Sequence, residues 1–332
     1  MHSVQENKLL VMKKIFLCLI LPIYIYSGVK SPSDYDPSSV EKITVDDGII
    51  TANLFARKFS QGELAYLELM ASSKISNVKA QFGNFETNMT QTKWGYRCFI
   101  PISPDEKTGK REITVSYNFK DRFSITHIFF NIEAKKYQIL KRSLDVGNFS
   151  RIGVKPDAER EQFIKDCLAK KTKAFASREN DLIDSNLSHP RDSHYLTSDF
   201  WEKRRYQRYK IVKRKRVYEN SKESIHRGVD LRGPQGTPVF AIARGKVVLS
   251  GKMHYEGNMV IIDHGNLFFT YYMHMDKLLV EEGRIIEAGT QIGEVGSTGI
   301  STGPHLHVSA IIKQIQFDPL SILHLPIKDI NK

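Results

Sequence analysis

Five residues in the last third of the chain have side chains that can hold a metal ion or move a proton: His226, Asp230, His274, His305 and His307. They sit in three short motifs, His226-Arg-Gly-Val-Asp230, Tyr271-Tyr-Met-His274 and Thr302-Gly-Pro-His305-Leu-His307. His226 and Asp230 are four apart, which would suit one face of a helix. Gly228, Val229 and the Arg232-Gly-Pro-Gln-Gly236 that follows argue for a loop or strand instead. His305 and His307 are two apart, so on a strand both side chains point to the same side. Short apolar segments broken by glycines separate the motifs and read as strands and turns.

The chemistry explains the residue types. A catalytic zinc takes three protein ligands and leaves one position for water, whose pKa the ion lowers to about 7. His226, Asp230 and one of His305 and His307 would fill the three ligand positions. The remaining imidazoles could then move protons or stabilise the oxyanion of a tetrahedral intermediate. The donors are nitrogen and oxygen only, which suits zinc and leaves manganese, iron and cobalt open. Each motif alone would occur by chance; the conjunction of the three points to a hydrolytic site. His254 and His264 read as surface residues, and Asp263-His-Gly265 as turn chemistry.

Taken together with Gly236-Thr-Pro-Val239, Asp263-His-Gly265 and the run Gly296-Ser-Thr-Gly-Ile-Ser-Thr-Gly-Pro-His-Leu-His307, the motifs resemble the lysostaphin/LytM-type zinc metallopeptidases. The resemblance covers the last third of the chain and ends near Phe317-Asp-Pro-Leu320. It implies a zinc ion held by His226, Asp230 and His307, with His274 and His305 as catalytic residues. It also implies a peptide substrate in the stems or cross-links of bacterial peptidoglycan, and a flattened antiparallel β domain with a lipoyl-like hybrid motif.

Three departures from the family pattern stand out. Where members carry a Phe-Gly-x-Arg-Arg-like segment before the first His, this chain has Tyr209-Lys-Ile-Val-Lys-Arg-Lys-Arg-Val-Tyr218. Tyr218 is the nearby candidate for the tyrosine that helps some members stabilise the intermediate. Val308-Ser-Ala310 replaces the more usual Phe-Glu after His307.

The elements that must position these residues follow from the rest of the chain. Its 332 residues, 41% hydrophobic, suit about two domains on the usual prior, each able to bury a core. A net charge of +12 favours anionic partners. Residues 1–28 read as a signal peptide, with Met12 as a candidate alternative start: two lysines, an apolar run from Ile15 to Tyr26, then small residues. That run falls short of the roughly 20 residues a bilayer span needs. Cys18 lies inside it, poorly placed for a lipoprotein cysteine. Export to the periplasm or cell envelope of a bacterium follows, and would permit a Cys98–Cys167 disulfide, with two buried free thiols as the alternative.

Residues 40–137 read as a mainly β unit resembling an immunoglobulin-like sandwich. Its expected strands are Ile49–Phe55, Glu63–Met70, Val78–Phe82, Arg97–Ile102, Glu112–Tyr117 and Phe123–Ile132. Spacer, substrate positioning or inhibitory cap are all open for it. Residues 138–217 read as a helical and basic linker region. Asp157–Phe175 is its expected helix, with Asp157 as cap and Phe163, Ile164, Cys167 and Leu168 as the apolar face. Ser177–Asp199 is a polar linker or irregular loop. The basic run Lys203–Arg216 is expected to attract anionic wall polymers, and export argues against nucleic acid. Residues 218–325 form the metallopeptidase unit, and the oligomeric state stays open.

Two other readings compete. A catalytically silent relative that binds wall or regulates an amidase typically loses metal ligands, and this chain keeps them all. A lipoyl-like carrier modified on Lys252 would leave the histidine set unexplained.

Overall fold

The computed structural model describes residues 40–153, 155–191 and 196–330. The expected leader, with Met12 and Cys18, lies outside the described residues. The described chain is mainly β, as its runs of short alternating segments imply.

Residues 41–132 form two antiparallel sheets. One runs in the order Glu41–Asp46, Ile50–Ala56, Leu64–Ala71, Tyr96–Pro101, Thr90–Gln91. The other runs Phe85–Asn88, Ile75–Phe82, Gly109–Phe119, Arg122–Ile132. Alternation sets each face: in Arg122–Ile132 the side chains of Thr126, Ile128, Phe130 and Ile132 are buried, while Phe123, Ile125 and Phe129 face outward. All six expected strands are present within a few residues. Glu41–Asp46, Phe85–Asn88 and Thr90–Gln91 were not anticipated, because each is short and half polar.

The stretch read as a linker carries more structure than its composition suggests. Helix α1 spans Ala158–Phe175, and Asp157 caps it by accepting a 2.8 Å hydrogen bond from the Arg160 N–H. Phe163, Cys167, Ala174 and Phe175 pack on Leu249, Met259, Ile261 and Phe269 of the C-terminal sheet. Leu168 corrects the expected face: it is 63% exposed, because it lies about 100° around the helix from Cys167. The basic run folds as a hairpin, Lys203–Val212 against Lys215–Ile225, with Ile139–Leu144 added in parallel. Lys213 and Arg214 both take positive φ, the two-residue turn that matches strand twist.

Residues 177–191 are irregular, but much of this stretch is a buried strap rather than a linker, and Leu196–Ser198 joins the C-terminal sheet as a short strand. Ile183, Leu187, Ser188, His189 and Arg191 are all buried along it. Fully buried Arg97 on the N-terminal sheet grips Asp181 on this strap at 2.8 and 3.0 Å and donates to the Lys328 carbonyl at 2.7 Å. Phe99 meets Phe268 edge to face at 5.7 Å, and Arg57 reaches Asp318 at 2.7 Å, so the two halves share one core. Cys98 and Cys167 are free thiols in separate clusters.

The C-terminal sheet is antiparallel, ordered Leu196–Ser198, Val229–Arg232, His305–Ile312, Phe268–Met275, Gly257–Gly265, Gly245–Met253, Ile285–Ile286. A smaller sheet of Pro238–Phe240, Gln291–Glu294 and Lys277–Leu278 accompanies it. This is the flattened architecture expected. Val239, Val247, Val260, Tyr272, Ile292 and Leu306 lie in its core.

Candidate metal centre

Strand register brings the motif residues together. Asp230 lies directly opposite His307, and His307 opposite Met273, one residue from His274. His226 follows the second strand of the basic hairpin, held there by Trp201 N–H to its carbonyl at 2.7 Å and by its own N–H to the Glu202 carbonyl at 2.8 Å. Gly228 lets the strands close. A Cβ there would come within 2.3 Å of the Val308 carbonyl oxygen and 2.6 Å of His307 Nε2. His274 sits at φ 63°, a left-handed turn that aims its ring back toward the cluster.

His226 Nε2 lies 3.0 Å from Asp230 Oδ1 and 2.9 Å from His307 Nδ1, and His307 Nδ1 lies 2.9 Å from the same carboxylate oxygen. All three residues are buried. His226 Nδ1 donates to the Asp199 carbonyl at 2.9 Å, which fixes the tautomer and leaves Nε2 with a bare lone pair. His307 Nε2 meets the Ser309 hydroxyl at 2.8 Å, so Nδ1 faces inward in the same way. His226 Nε2, His307 Nδ1 and a carboxylate oxygen therefore converge, a set of nitrogen and oxygen donors of the kind a cation takes. Ligands about 2.0–2.2 Å from a tetrahedral ion sit roughly 3.3–3.5 Å apart, close to what these atoms show. The donor set fits zinc.

Burial alone would raise the Asp230 carboxyl, but the adjacent His226 and His307 imidazoles win and hold it well below the usual carboxylate range. Burial pushes His307 down to about 4 and His274 down to about 3, the latter helped by its histidine neighbours. Both are neutral near pH 7, the form in which imidazole offers a lone pair.

His305 and His307 lie on one side of their strand, as spacing predicts. His305 Nε2 is 3.6 Å from Asp230 Oδ1, and its ring centroid is 4.9 Å from that of His274. His274 Nδ1 donates to the Thr298 carbonyl and His305 Nδ1 to that of Gly303, each at 2.8 Å. Both therefore turn a bare Nε2 away from the backbone.

The cluster opens on a groove of about 1120 Å³. Its walls include Tyr206 and Glu223 from the basic hairpin, Phe175 from α1, and Tyr255 from the Ser250–Asn258 stretch. Lys171 of α1 pairs with Glu256 across it. Tyr218 corrects the tyrosine expectation, since it is 53% exposed and lies outside the groove lining. The groove tyrosines are Tyr206, Tyr255 and Tyr271.

The unanticipated site residue is Arg204. Within a run expected to attract anionic polymers, its Nη2 donates to Asp230 Oδ2 at 2.5 Å and its Nε to Glu202 Oε1 at 3.0 Å; Glu202 also accepts from Ser198 Oγ at 2.6 Å. One Asp230 oxygen is thus claimed by the guanidinium and the other faces the histidines. A signal for this existed. Phe200-Trp-Glu-Lys-Arg204 resembles the Phe-Gly-x-Arg-Arg-like pattern and begins nine residues before the stretch set against it above. Trp201 hides the match, yet it adopts φ 64°, the backbone a glycine would favour. His264 also departs from expectation. It is buried, bridging the Arg244 carbonyl and the Thr270 hydroxyl. His254 is half-buried against Phe149 and Phe163 of the middle region.

A groove-lining cluster of two histidines and an aspartate, backed by two more histidines on a flattened β-sheet, defines a metallohydrolase-type site. Residues 224–319 match the model of peptidase family M23, so this part of the chain is similar to M23 peptidases. The peptidoglycan DD-endopeptidase ShyA of Vibrio cholerae is 38% identical over 120 residues, 33% of this chain and 28% of the relative. The DD-carboxypeptidase/endopeptidase Mpg of Neisseria meningitidis serogroup B is 44% identical over 98 residues, 30% of this chain and 23% of the relative. The chain thus spans about a quarter of the length of the curated relatives it matches. A crystal structure of a candidate M23 peptidase from Pseudomonas aeruginosa shares the fold over 80% of this chain and 96% of its own, with a TM-score of 0.54 at 22% identity.

Proposed function

We propose that this chain is an exported zinc endopeptidase that hydrolyses peptide bonds in the stems or cross-links of peptidoglycan. The observation that carries the reading is the convergence of His226 Nε2, Asp230 Oδ1 and His307 Nδ1 on the groove floor. The relatives' activity on peptidoglycan supports the substrate class. Export to the periplasm or cell envelope accords with that substrate and with the leader-like sequence.

In this reading His226, Asp230 and His307 hold the zinc. The ion, when bound, supplies Lewis-acid charge and an acidified water. Asp230 contributes Oδ1 while Arg204 occupies Oδ2, so the carboxylate has one orientation available. His274 and His305 each present an acceptor nitrogen beside the cluster. An imidazole that takes a proton from the attacking water becomes an N–H donor for the oxyanion or the leaving amine, and the two histidines share these tasks.

Purified protein with muropeptides should release peptide fragments, and chelator, His305→Ala or His307→Ala should each stop the release. A zinc-loaded chain that releases nothing would leave the wall-binding or amidase-regulating alternative. Metal analysis assigns the roles: substitution of His226, Asp230 or His307 by alanine loses zinc, whereas His274→Ala and His305→Ala retain it. Equal loss across all five would refute that division. Mass spectrometry of fragments from defined sacculi identifies the bond.

A further inference from the structure

The basic hairpin divides into two parts. Its base is committed to the groove through Arg204 and Tyr206. Its tip, residues 210–218, is exposed throughout. There Ile211, Val212 and Val217 are each 41% exposed and Tyr218 53%. Cross-strand register pairs Ile211 with Arg216, Lys210 with Val217, and Val212 with Lys215. Cross-strand partners share a face, so each face of the tip mixes apolar and cationic side chains. Lys210 pairs with Glu219 and Arg216 with Asp145, while Lys213, Arg214 and Lys215 make no ion pair among the described residues.

From this the geometry points to the tip docking on an anionic phospholipid bilayer. In a hairpin built only for solvent, or for a soluble polyanion, Ile211, Val212 and Val217 supply strand propensity, but their exposed area on both faces stays unused. A flat protein partner would cover one face and leave the other exposed. The headgroup layer of an anionic membrane satisfies both sets at once. Long Lys and Arg stems reach phosphates while the apolar groups meet the acyl boundary. Each cation near such a surface adds an attraction that salt screens.

The test uses the full chain, so any contribution from residues before Val40 is common to all variants. With Val212→Trp, emission should shift further to the blue than that of the original chain, which carries Trp94 and Trp201, on vesicles of phosphatidylglycerol and phosphatidylethanolamine, and the two should match with phosphatidylcholine alone. Ile211→Ser/Val212→Ser/Val217→Ser and Lys213→Gln/Arg214→Gln/Lys215→Gln should each lower partitioning onto the anionic vesicles by at least about tenfold. Circular dichroism confirms that each variant is folded, and if a triple variant is not, the difference in emission between Val212→Trp and the original chain reads the tip. Unchanged Trp emission on vesicles that sediment the protein overturns the proposal. So does a serine variant that binds like the original chain while soluble polyphosphate competes fully, which would mark a docking site for polyanions such as wall polymers.

Discussion

Arg204 decides how Asp230 can act. A carboxylate buried between two imidazoles has two oxygens to offer, and the guanidinium removes one of them from contention. Groups that orient ligands in this way typically matter about 10–100-fold in metal affinity. Arg204→Met should therefore weaken zinc binding by about tenfold or more in chelator competition, and Arg204→Lys should recover part of the loss. An affinity within twofold of the original would show that the contact does not orient the ligand. The five motif residues were legible in the sequence because metal and proton chemistry admit few side-chain types. Arg204 was not, since a guanidinium among eight other cations carries no mark of the carboxylate 26 positions away that it serves.

The next scale is the pairing of Val229–Arg232 with His305–Ile312, which places Asp230 beside His307. Gly228 sits where any side chain would strike the facing backbone and the His307 ring. Gly228→Ala should push the strands apart, costing about 1–3 kcal/mol as other overpacked sites do, and should release zinc under conditions where the original chain keeps it. Unfolding midpoint and bound zinc measured on one preparation test both effects; a variant unchanged in both removes the argument. Period-two alternation made such strands readable, as in Phe123–Ile132. The hairpin was hidden because Lys213-Arg214 turns the chain without the Gly or Asn that usually announces a two-residue loop.

Across the whole molecule, burial of His264 ties stability to pH. Desolvation pushes its pKa down to about 4 from an ordinary 6.5, so below pH 6.5 the unfolded chain takes up a proton that the native ring refuses. Stability contributed by this site is full above pH 6.5 and falls by about 3 kcal/mol as pH drops to about 4. Urea unfolding of His264→Gln at several pH values should show a shallower slope over that window; an identical slope would mean the ring is not desolvated. The two-sheet N-terminal region and the flattened C-terminal sheet could be read from local patterns, but the strap between them could not. Its polarity looks solvent-facing until Arg97, 84 positions earlier, supplies the partner for Asp181.

That strap also sets where the chain can be cut. The Leu182 N–H bonds the His264 carbonyl at 2.8 Å, and the Ser188 N–H bonds that of Ile242 at 2.9 Å. A fragment trimmed to the segment shared with M23 peptidases would lose these ties and leave Phe268 and Phe317 facing water. It would also lose Arg204. The smallest piece worth expressing for enzymology therefore begins well upstream of the first histidine, because the matched third depends on its surroundings for support.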